Sequence, residues 1–207
     1  MFNARSIVNK TAYLNSFIQQ NKYNLIFIVE TWLNKLLDNF DSLVCPHGYN
    51  IIRKDRHNKK GGGVLLIYKS TLRIIDVTNN QNNLFLEHIC VDVIFSSQKR
   101  KTSPYRFCCC YIPPDLSKDD SFILLFCNIL KKYIENHPIF ILGDFIFPGI
   151  DWSLYSSSCK SDKVFLDFCL QNNVYQHVFE PTHTSDSTLD LFFTNDLAHG
   201  LLDSVNC

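Results

Sequence analysis

Short apolar runs recur along the chain, and each is bounded by polar or turn-forming residues, which predicts β-strands. The runs are rich in Ile, Val, Leu and Phe. The predicted strands are Asn24–Val29, Gly63–Tyr68, Phe85–Ile94, Arg106–Tyr111, Pro138–Leu142 and Leu189–Thr194. Apolar residues at helical spacing predict three helices, Lys10–Asn21, Asp119–Asn136 and Ser161–Asn172, with Ser161 as the N-cap of the last.

The order of these elements predicts a mixed or antiparallel α/β layered fold. Helices are spread among the strands without strict alternation, and only a polar loop separates Phe85–Ile94 from Arg106–Tyr111, as in a hairpin. A doubly wound parallel sheet would place a longer crossover there. The chain has 207 residues, 46% of them hydrophobic. That composition fits a single domain over residues 1–207, or a domain cut short.

Charge and cysteine content narrow the picture only a little. Lys+Arg and Asp+Glu both number 20, so net charge points neither to nucleic acid nor away from it. None of the nine cysteines forms a C-x-x-C pair, which favours buried thiols in a reducing compartment over a zinc site. The N-terminus lacks an apolar signal core, and no apolar run reaches the roughly 20 residues of a membrane span. A soluble intracellular protein is expected.

Four polar residues stand at or near the ends of apolar runs, where a scaffold presents side chains to a cleft. They are Glu30, Tyr111, Asp144 and Asp190. Carboxylates in such places can share a hard divalent cation such as Mg²⁺, which polarises phosphoryl oxygens. The alternative for each residue taken alone is a turn former or a helix cap.

The stretch "RKDRHNKKGGG" concentrates positive charge before three glycines. It predicts a loop that contacts phosphates, with Arg53 and Arg56 as nucleic-acid-binding residues. A solvated charged hairpin is the alternative. The stretch lacks the Lys-Ser/Thr ending of a P-loop, which argues against nucleotide hydrolysis by that route.

Six stretches, taken in order, resemble the endonuclease domain of non-LTR (LINE-type) retrotransposons. They are "NARSIVNK", "IFIVETWL", "IIRKDRHNKKGGGVLLIY", "CCYIPP", "ILGDFIFPGIDW" and "PTHTSDSTLDLFFTN". That domain belongs to the endonuclease/exonuclease/phosphatase superfamily, with DNase I and exonuclease III. The resemblance implies a four-layer α/β sandwich, in which two packed mixed β-sheets are flanked by helices. It also implies Mg²⁺-dependent nicking of DNA, with Mn²⁺ as a substitute, a reverse transcriptase domain in the parent gene, and a nuclear location.

The resemblance assigns roles to six residues of this sequence. It implies that Glu30 and Asn3 hold the metal, that Tyr111 contacts the phosphate, that Asp144 orients the attacking water, that Thr182 lies near the substrate, and that Asp190 is a later active-site aspartate.

The sequence also departs from the family pattern. Ile146 stands where the pattern Gly-Asp-Phe-Asn has its asparagine. The chain starts close to Asn3 and ends in "LLDSVNC", without the family's Ser-Asp-His element. We therefore expect a domain truncated at both ends, and an enzyme that is weak or inactive. The alternative is a non-catalytic remnant that at most binds nucleic acid. A phosphatase or lipid-headgroup enzyme is disfavoured by "ETWL" and "FPGIDW".

Overall fold

A computed structural model describes residues 1–34, 40–56, 59–78, 86–95, 104–183 and 187–201. The chain forms two compact units. Unit 1 comprises residues 1–100 and 109–111, and unit 2 comprises residues 101–108 and 112–207.

Unit 1 is built on a four-stranded sheet. Its elements are β1 (Phe2–Asn3), α1 (Thr11–Asn21), β2 (Leu25–Val29), α2 (Phe40–Val44), β3 (Tyr49–Lys54), β4 (Val64–Lys69), β5 (Arg73–Asp76) and β6 (Glu87–Ile94). The strand order is β1-β2-β4-β3, with β1 parallel to β2 and the other pairs antiparallel. Strand β5 pairs antiparallel with β6, and β6 contacts β3 and β4.

The core of unit 1 follows from the predicted periodicities. Leu14 and Ile18 lie one helical turn apart on α1 and are both buried. They join a cluster with alternate residues of the sheet, Ile26 and Ile28 of β2 and Leu65 of β4 among them. The sheet therefore buries one face under α1, as the apolar pattern predicts.

Strand β7 (Tyr105–Tyr111) contributes its first four residues to unit 2 and its last three to unit 1. The remaining elements of unit 2 are α3 (Asp120–Ile134), β8 (Ile139–Asp144), β9 (Ile150–Asp151), β10 (Ser156–Ser157), α4 (Lys160–Gln171), β11 (Val174–Gln176), β12 (Asp190–Asn195) and α5 (Asp196–His199). Strand β12 pairs antiparallel with both β8 and β11, and α3 packs against α4.

Aromatic side chains fill the core of unit 2. Phe165 of α4 stacks on Phe147 at 4.6 Å between ring centroids and on Phe145 at 5.7 Å. Phe193 of β12 meets Phe145 and Trp152 edge-on. These rings fix the segment that follows β8, and Asp144 is the last residue of that strand.

The predicted strands and helices are present, with two classes of error. Ser161 is not an N-cap, because α4 already begins at Lys160 with Cys159 before it. The Ser161 hydroxyl instead donates to Asp120 Oδ1 at 2.8 Å. Strands β1, β3, β5, β9, β10 and β11 were not predicted because they are short or half-exposed and carry polar residues, and the short helices α2 and α5 were not predicted either. Phe85 lies outside the described residues.

Among the residues that the structure describes, six cysteines are buried thiols, as predicted, whereas Cys159 is exposed and Cys45 is partly buried. Within the described ranges, no helix is both long and apolar enough to cross a membrane.

His88 on β6 makes stability depend on pH. It is 2% exposed, and burial lowers its pKa from 6.5 to about 4, with the charge of Lys54 acting in the same direction. The unfolded chain therefore binds a proton below pH 6.5 that the folded chain binds only near pH 4. We expect a loss of up to about 3 kcal/mol of unfolding free energy across that interval.

Urea unfolding at pH 7 and at pH 4.5 measures this loss. His88→Phe should reduce the difference between the two pH values, whereas the exposed His47→Gln should leave it unchanged. An equal pH dependence in His88→Phe and the unmodified chain would assign the acid sensitivity to other groups.

Candidate active site

In unit 1, the parallel pairing of β1 and β2 brings Asn3 next to Glu30. Asn3 is the register partner of Val29, and Glu30 follows Val29 directly. The backbone continues the contact beyond the strands, because the Ser6 amide donates to the Glu30 carbonyl at 2.8 Å. The two residues predicted as metal ligands therefore lie at the same end of this sheet.

A tight turn after β2 sets the direction of the Glu30 side chain. Glu30 and Trp32 both have positive φ, 58° and 59°. The indole Nε1 of Trp32 donates to Glu30 Oε2, and the Trp32 amide donates to the Gly62 carbonyl at 2.8 Å. A left-handed backbone conformation at two non-glycine residues costs free energy. We call Gly61–Gly63 the glycine loop, and its hydrogen bond with Trp32 holds this turn in place.

The glycine loop is anchored in turn by Glu87, which begins β6 and is only 4% exposed. The Gly63 amide donates to Glu87 Oε2, and Arg56 Nε donates to Glu87 Oε1 at 2.5 Å. Gly62 has a φ of +67°, and a Cβ there would clash with Arg56 and Glu87. The position therefore requires glycine for both conformation and space.

Arg56 links this anchor to Tyr111. Its guanidinium carbon lies 5.3 Å from the centroid of the Tyr111 ring, within cation–π range. Burial acts to lower the pKa of Arg56, but the hydrogen bond to Glu87 and its charge outweigh burial and raise that pKa. Arg56 thus stays charged beside the tyrosine that the sequence predicts as a phosphate contact. We call Glu30, Trp32, Gly61–Gly63, Arg56, Glu87 and Tyr111 the glutamate network.

The structure places Arg53 and Arg56 in internal ion pairs. Arg53 lies in β3, not in a loop, and contacts Asp41 at 2.7 Å and Asp55 at 2.8 Å. A DNA phosphate would have to compete with these carboxylates for either guanidinium. Their role in DNA binding stays a prediction.

Lys59 and Lys60 are the exposed cations of the same stretch. We expect Lys59→Gln/Lys60→Gln to weaken any DNA binding and to reduce the slope of log K against log salt by about 1.8, because two phosphate contacts are lost. The matched control is Lys131→Gln/Lys132→Gln on exposed positions of α3. Fluorescence anisotropy with labelled duplex DNA measures both slopes. The salt concentration is varied between roughly 50 and 200 mM, a range over which such affinities change strongly. An unchanged slope in Lys59→Gln/Lys60→Gln would show that this stretch is a solvated hairpin without phosphate contacts.

In unit 2, antiparallel pairing sets Asp144 directly opposite Asp190. Register partners place their side chains on one face of a sheet, with Cβ atoms about 4.5–5.5 Å apart. Thr182 lies beside this pair, since its Oγ1 accepts the amides of Leu189 at 2.9 Å and Asp190 at 3.0 Å. Three of the predicted site residues therefore meet in unit 2. Two carboxylates this close can share a proton or a cation.

The sequence Phe145-Ile146-Phe147 after Asp144 has a structural explanation. The Phe147 amide donates to the Phe145 carbonyl at 2.8 Å, which makes a tight turn. Both phenylalanines are buried in the aromatic core, at 0% and 1% exposure, and Ile146 is only partly buried. Ile146 thus occupies the one position of the three that the core does not require to be apolar, and it offers no hydrogen-bond donor there.

Mg²⁺ fits the oxygen donors at the end of β2. The ion is often held by only one or two carboxylates together with waters. Glu30 supplies one carboxylate, with Oε2 fixed by Trp32, so Oε1 is the oxygen that would bind the ion. In the described part of the chain, no group of three or more His, Cys, Asp or Glu side chains is arranged to hold a metal.

Sequence reasoning missed Glu87 and Trp32. The signal was present for Glu87, because a carboxylate opens the apolar run "EHICVDVI" just as Asp144 closes "IFILGD". Trp32 follows Glu30 by two residues, but only the turn conformation brings its indole back to the carboxylate.

Comparisons with known proteins agree with this architecture. Residues 105–205 match the family model described as endonuclease-reverse transcriptase. The fold is similar to the endonuclease domain of TRAS1, a telomere-specific non-LTR retrotransposon, with a TM-score of 0.66 at 13% identity over 98% of this chain and 87% of that one. The search of curated proteins finds no match.

Two further solved structures share the fold. The AP endonuclease LMAP from Leishmania major has a TM-score of 0.67 at 15% identity, over 94% of this chain and 78% of that one. An AP endonuclease from Archaeoglobus fulgidus has a TM-score of 0.58 at 11% identity, over 94% and 84%. The predicted α/β class and its DNase I-like architecture are therefore confirmed.

Proposed function

We propose that this chain, which has the DNase I-like fold and whose residues 105–205 match the family model described as endonuclease-reverse transcriptase, is a retrotransposon-type DNA phosphodiesterase with impaired catalysis. The observation that carries the proposal is the pairing of Asp144 with Asp190 beside Thr182, next to a residue that cannot donate. The pairing supports a site for hydrolysis, and Ile146 supports the impairment.

The roles that the resemblance implies are divided between residues of unit 1 and residues of unit 2. Asp144 would orient a water and accept its proton as the water attacks phosphorus, while the bond from phosphorus to the leaving sugar oxygen breaks and that oxygen takes a proton from solvent. The negative charge of Asp190 on the same face of the sheet would favour transfer of the water's proton to Asp144. The Tyr111 hydroxyl would donate to a phosphate oxygen, with Arg56 holding the ring in position. Glu30 with Asn3 would hold Mg²⁺, which when bound polarises a phosphoryl oxygen.

Ile146 accounts for the expected weakness. Charge develops on the phosphate oxygens in the transition state, and a preorganised donor stabilises it. An isoleucine side chain at this position offers that charge no hydrogen-bond donor. Loss of one such donor costs about 10²–10³ in rate in comparable sites.

A non-catalytic remnant that at most binds nucleic acid is the second candidate. Ile146 favours it, and so does the engagement of Arg53 and Arg56 in internal ion pairs. Asp144→Ala, introduced into the Ile146→Asn protein, separates the two functions. A phosphodiesterase loses Mg²⁺-dependent nicking of plasmid with this variant, whereas a remnant shows no EDTA-sensitive nicking in either protein.

Several properties remain part of this proposal. They are DNA as the partner, a reverse transcriptase in the same parent gene, a nuclear location, and one endonuclease domain over residues 1–207. The oligomeric state is a matter for direct measurement by sedimentation.

The metal site gives a prediction that does not depend on activity. We expect Glu30→Gln to weaken Mn²⁺ binding by at least about tenfold, because an amide replaces the Glu30 carboxylate. Electron paramagnetic resonance of free Mn²⁺ measures the binding. Glu135→Gln, at an exposed position after α3, is the matched control. Equal Mn²⁺ affinity in all three proteins would exclude Glu30 as a ligand.

A further inference from the structure

At the other end of the same sheet from Glu30, unit 1 contains a cavity of about 330 Å³. It is lined by Gln19, Lys22, His47, Gly48, Tyr49, Lys69, Ser70 and Thr71. The five residues of β2 span about 16 Å, which separates the two ends of this sheet. The cavity is therefore a different place from the glutamate network. Its volume lies at the lower end of the range for small-molecule pockets.

Several of the lining residues carry a cation or a hydroxyl group. Lys22 and Lys69 bring two ammonium groups, and Ser70 and Thr71 bring two hydroxyls. No acidic residue lines the cavity in the part of the chain that the structure describes. Neither lysine forms an ion pair with a described carboxylate. An anionic ligand would thus neutralise the positive charge of the two lysines.

Backbone hydrogen bonds hold the cavity walls in place. The Lys69 amide donates to the Asn24 carbonyl at 3.1 Å, and the Ser70 amide donates to the Gly48 carbonyl at 2.8 Å. The Tyr49 hydroxyl donates to the Tyr23 carbonyl at 3.0 Å. These bonds tie together the segment after α1, the segment before β3 and the turn after β4. The backbone that carries the lining residues is therefore held in place.

Backbone conformation also places Lys22 at this site. Its φ of 54° is left-handed, and its amide caps α1 by donating to the Ile18 carbonyl at 2.9 Å. The C-terminal end of a helix favours a cation, so the ammonium of Lys22 is stabilised where the helix stops. Lys69 reaches the cavity from the end of β4. The two positive charges thus come from separate, fixed elements.

We propose that this cavity binds a terminal phosphate group, carried by a nucleotide-sized ligand or by the end of a nucleic acid. Two ammonium groups match a phosphate dianion in charge, and hydroxyl donors match its oxygens. The cavity also has room for more than the phosphate, which favours a ligand with a sugar attached. The inference is independent of the proposed phosphodiesterase function, because it uses none of those residues.

Amide NMR with inorganic phosphate as the first probe tests the proposal. We expect saturable shifts at Gly48 and Ser70 that equal ionic strength of sodium chloride does not produce. A nucleoside 5′-monophosphate and a 5′-phosphorylated oligonucleotide, compared with its 5′-hydroxyl form, identify the carrier. Tighter binding of the monophosphate indicates a small ligand, and binding of only the phosphorylated oligonucleotide indicates a nucleic-acid end.

Two charge-matched variants assign the binding to this cavity. Lys22→Gln/Lys69→Gln should raise the Kd for phosphate at least about tenfold, since each lost charge-assisted hydrogen bond is worth about that factor. Lys131→Gln/Lys132→Gln removes the same charge from exposed positions of α3 and should leave the Kd unchanged. An absence of shifts at Gly48 and Ser70 in the unmodified chain would overturn the proposal. Equal Kd values in the two double variants would do the same.

Discussion

Replacing Ile146 by asparagine should raise the rate of Mg²⁺-dependent DNA nicking by up to about 10²–10³-fold, because the amide restores a donor at the developing phosphate charge. The partial burial of Ile146 leaves room for a polar side chain without disturbing Phe145 or Phe147. Single-turnover cleavage of a labelled duplex measures the rate. Ile146→Val is the matched control, since it changes the side chain but adds no donor, and it should leave the rate at its starting value.

The size of this gain depends on the other groups that act on the same transition state. Residues that work as a unit show non-additive effects, so one restored donor gives its full gain only where the other groups are in place. The resemblance implies a Ser-Asp-His element, so the experiment includes a chain extended to supply it. We expect the full gain from Ile146→Asn in the extended chain. A gain in neither background would show that a missing donor at residue 146 is not what limits the rate.

Glu87→Ala should cost about 3–5 kcal/mol of unfolding free energy, the largest stability effect that we expect in unit 1. The change leaves the buried charge of Arg56 without its carboxylate and the Gly63 amide without its acceptor. Asp41→Asn is the control, because Asp41 also pairs with an arginine but is 45% exposed. Exposed ion pairs contribute about 0–1 kcal/mol. Urea denaturation measures both differences.

A second measurement tests whether Glu87 positions the glutamate network as well as stabilising it. Trp32 contacts both Glu30 and the glycine loop, and Trp152 is the other tryptophan of the chain. In a Trp152→Phe background, Glu87→Gln should shift Trp32 fluorescence and weaken Mn²⁺ binding together. The glutamine keeps the shape of the side chain and removes its charge. Unchanged Trp32 emission with unchanged Mn²⁺ affinity would reduce Glu87 to a purely structural role.

The sequence predicted those parts of the fold in which one element has a strong apolar period. Strand β8 and helix α3 are almost wholly buried along one run or one face, so their pattern is unambiguous. Strand β3 escaped prediction because Arg53 and Lys54 end it, and its residues are only partly buried. Its pairing to β4 depends on backbone hydrogen bonds that no side-chain pattern encodes.

The sequence identified individual residues of the candidate site but not the contacts between them. The strand ends at Glu30 and Asp144 are visible in the sequence, whereas the register that pairs Asp144 with Asp190 is not. The positive charge of Arg56 predicted a DNA contact, yet the structure uses that charge inside the protein against Glu87. Charge alone does not distinguish a DNA contact from an internal ion pair, because both use the guanidinium group. They differ only in whether a phosphate or a carboxylate binds that group.

The most direct measurement compares three proteins in one plasmid-nicking assay with Mg²⁺ and with EDTA. They are the unmodified chain, Ile146→Asn, and Ile146→Asn/Asp144→Ala. Our account predicts slow or undetectable nicking by the first, EDTA-sensitive nicking by the second, and its loss in the third. Fast EDTA-sensitive nicking by the unmodified chain, or nicking by the third protein equal to that of the second, would contradict the account.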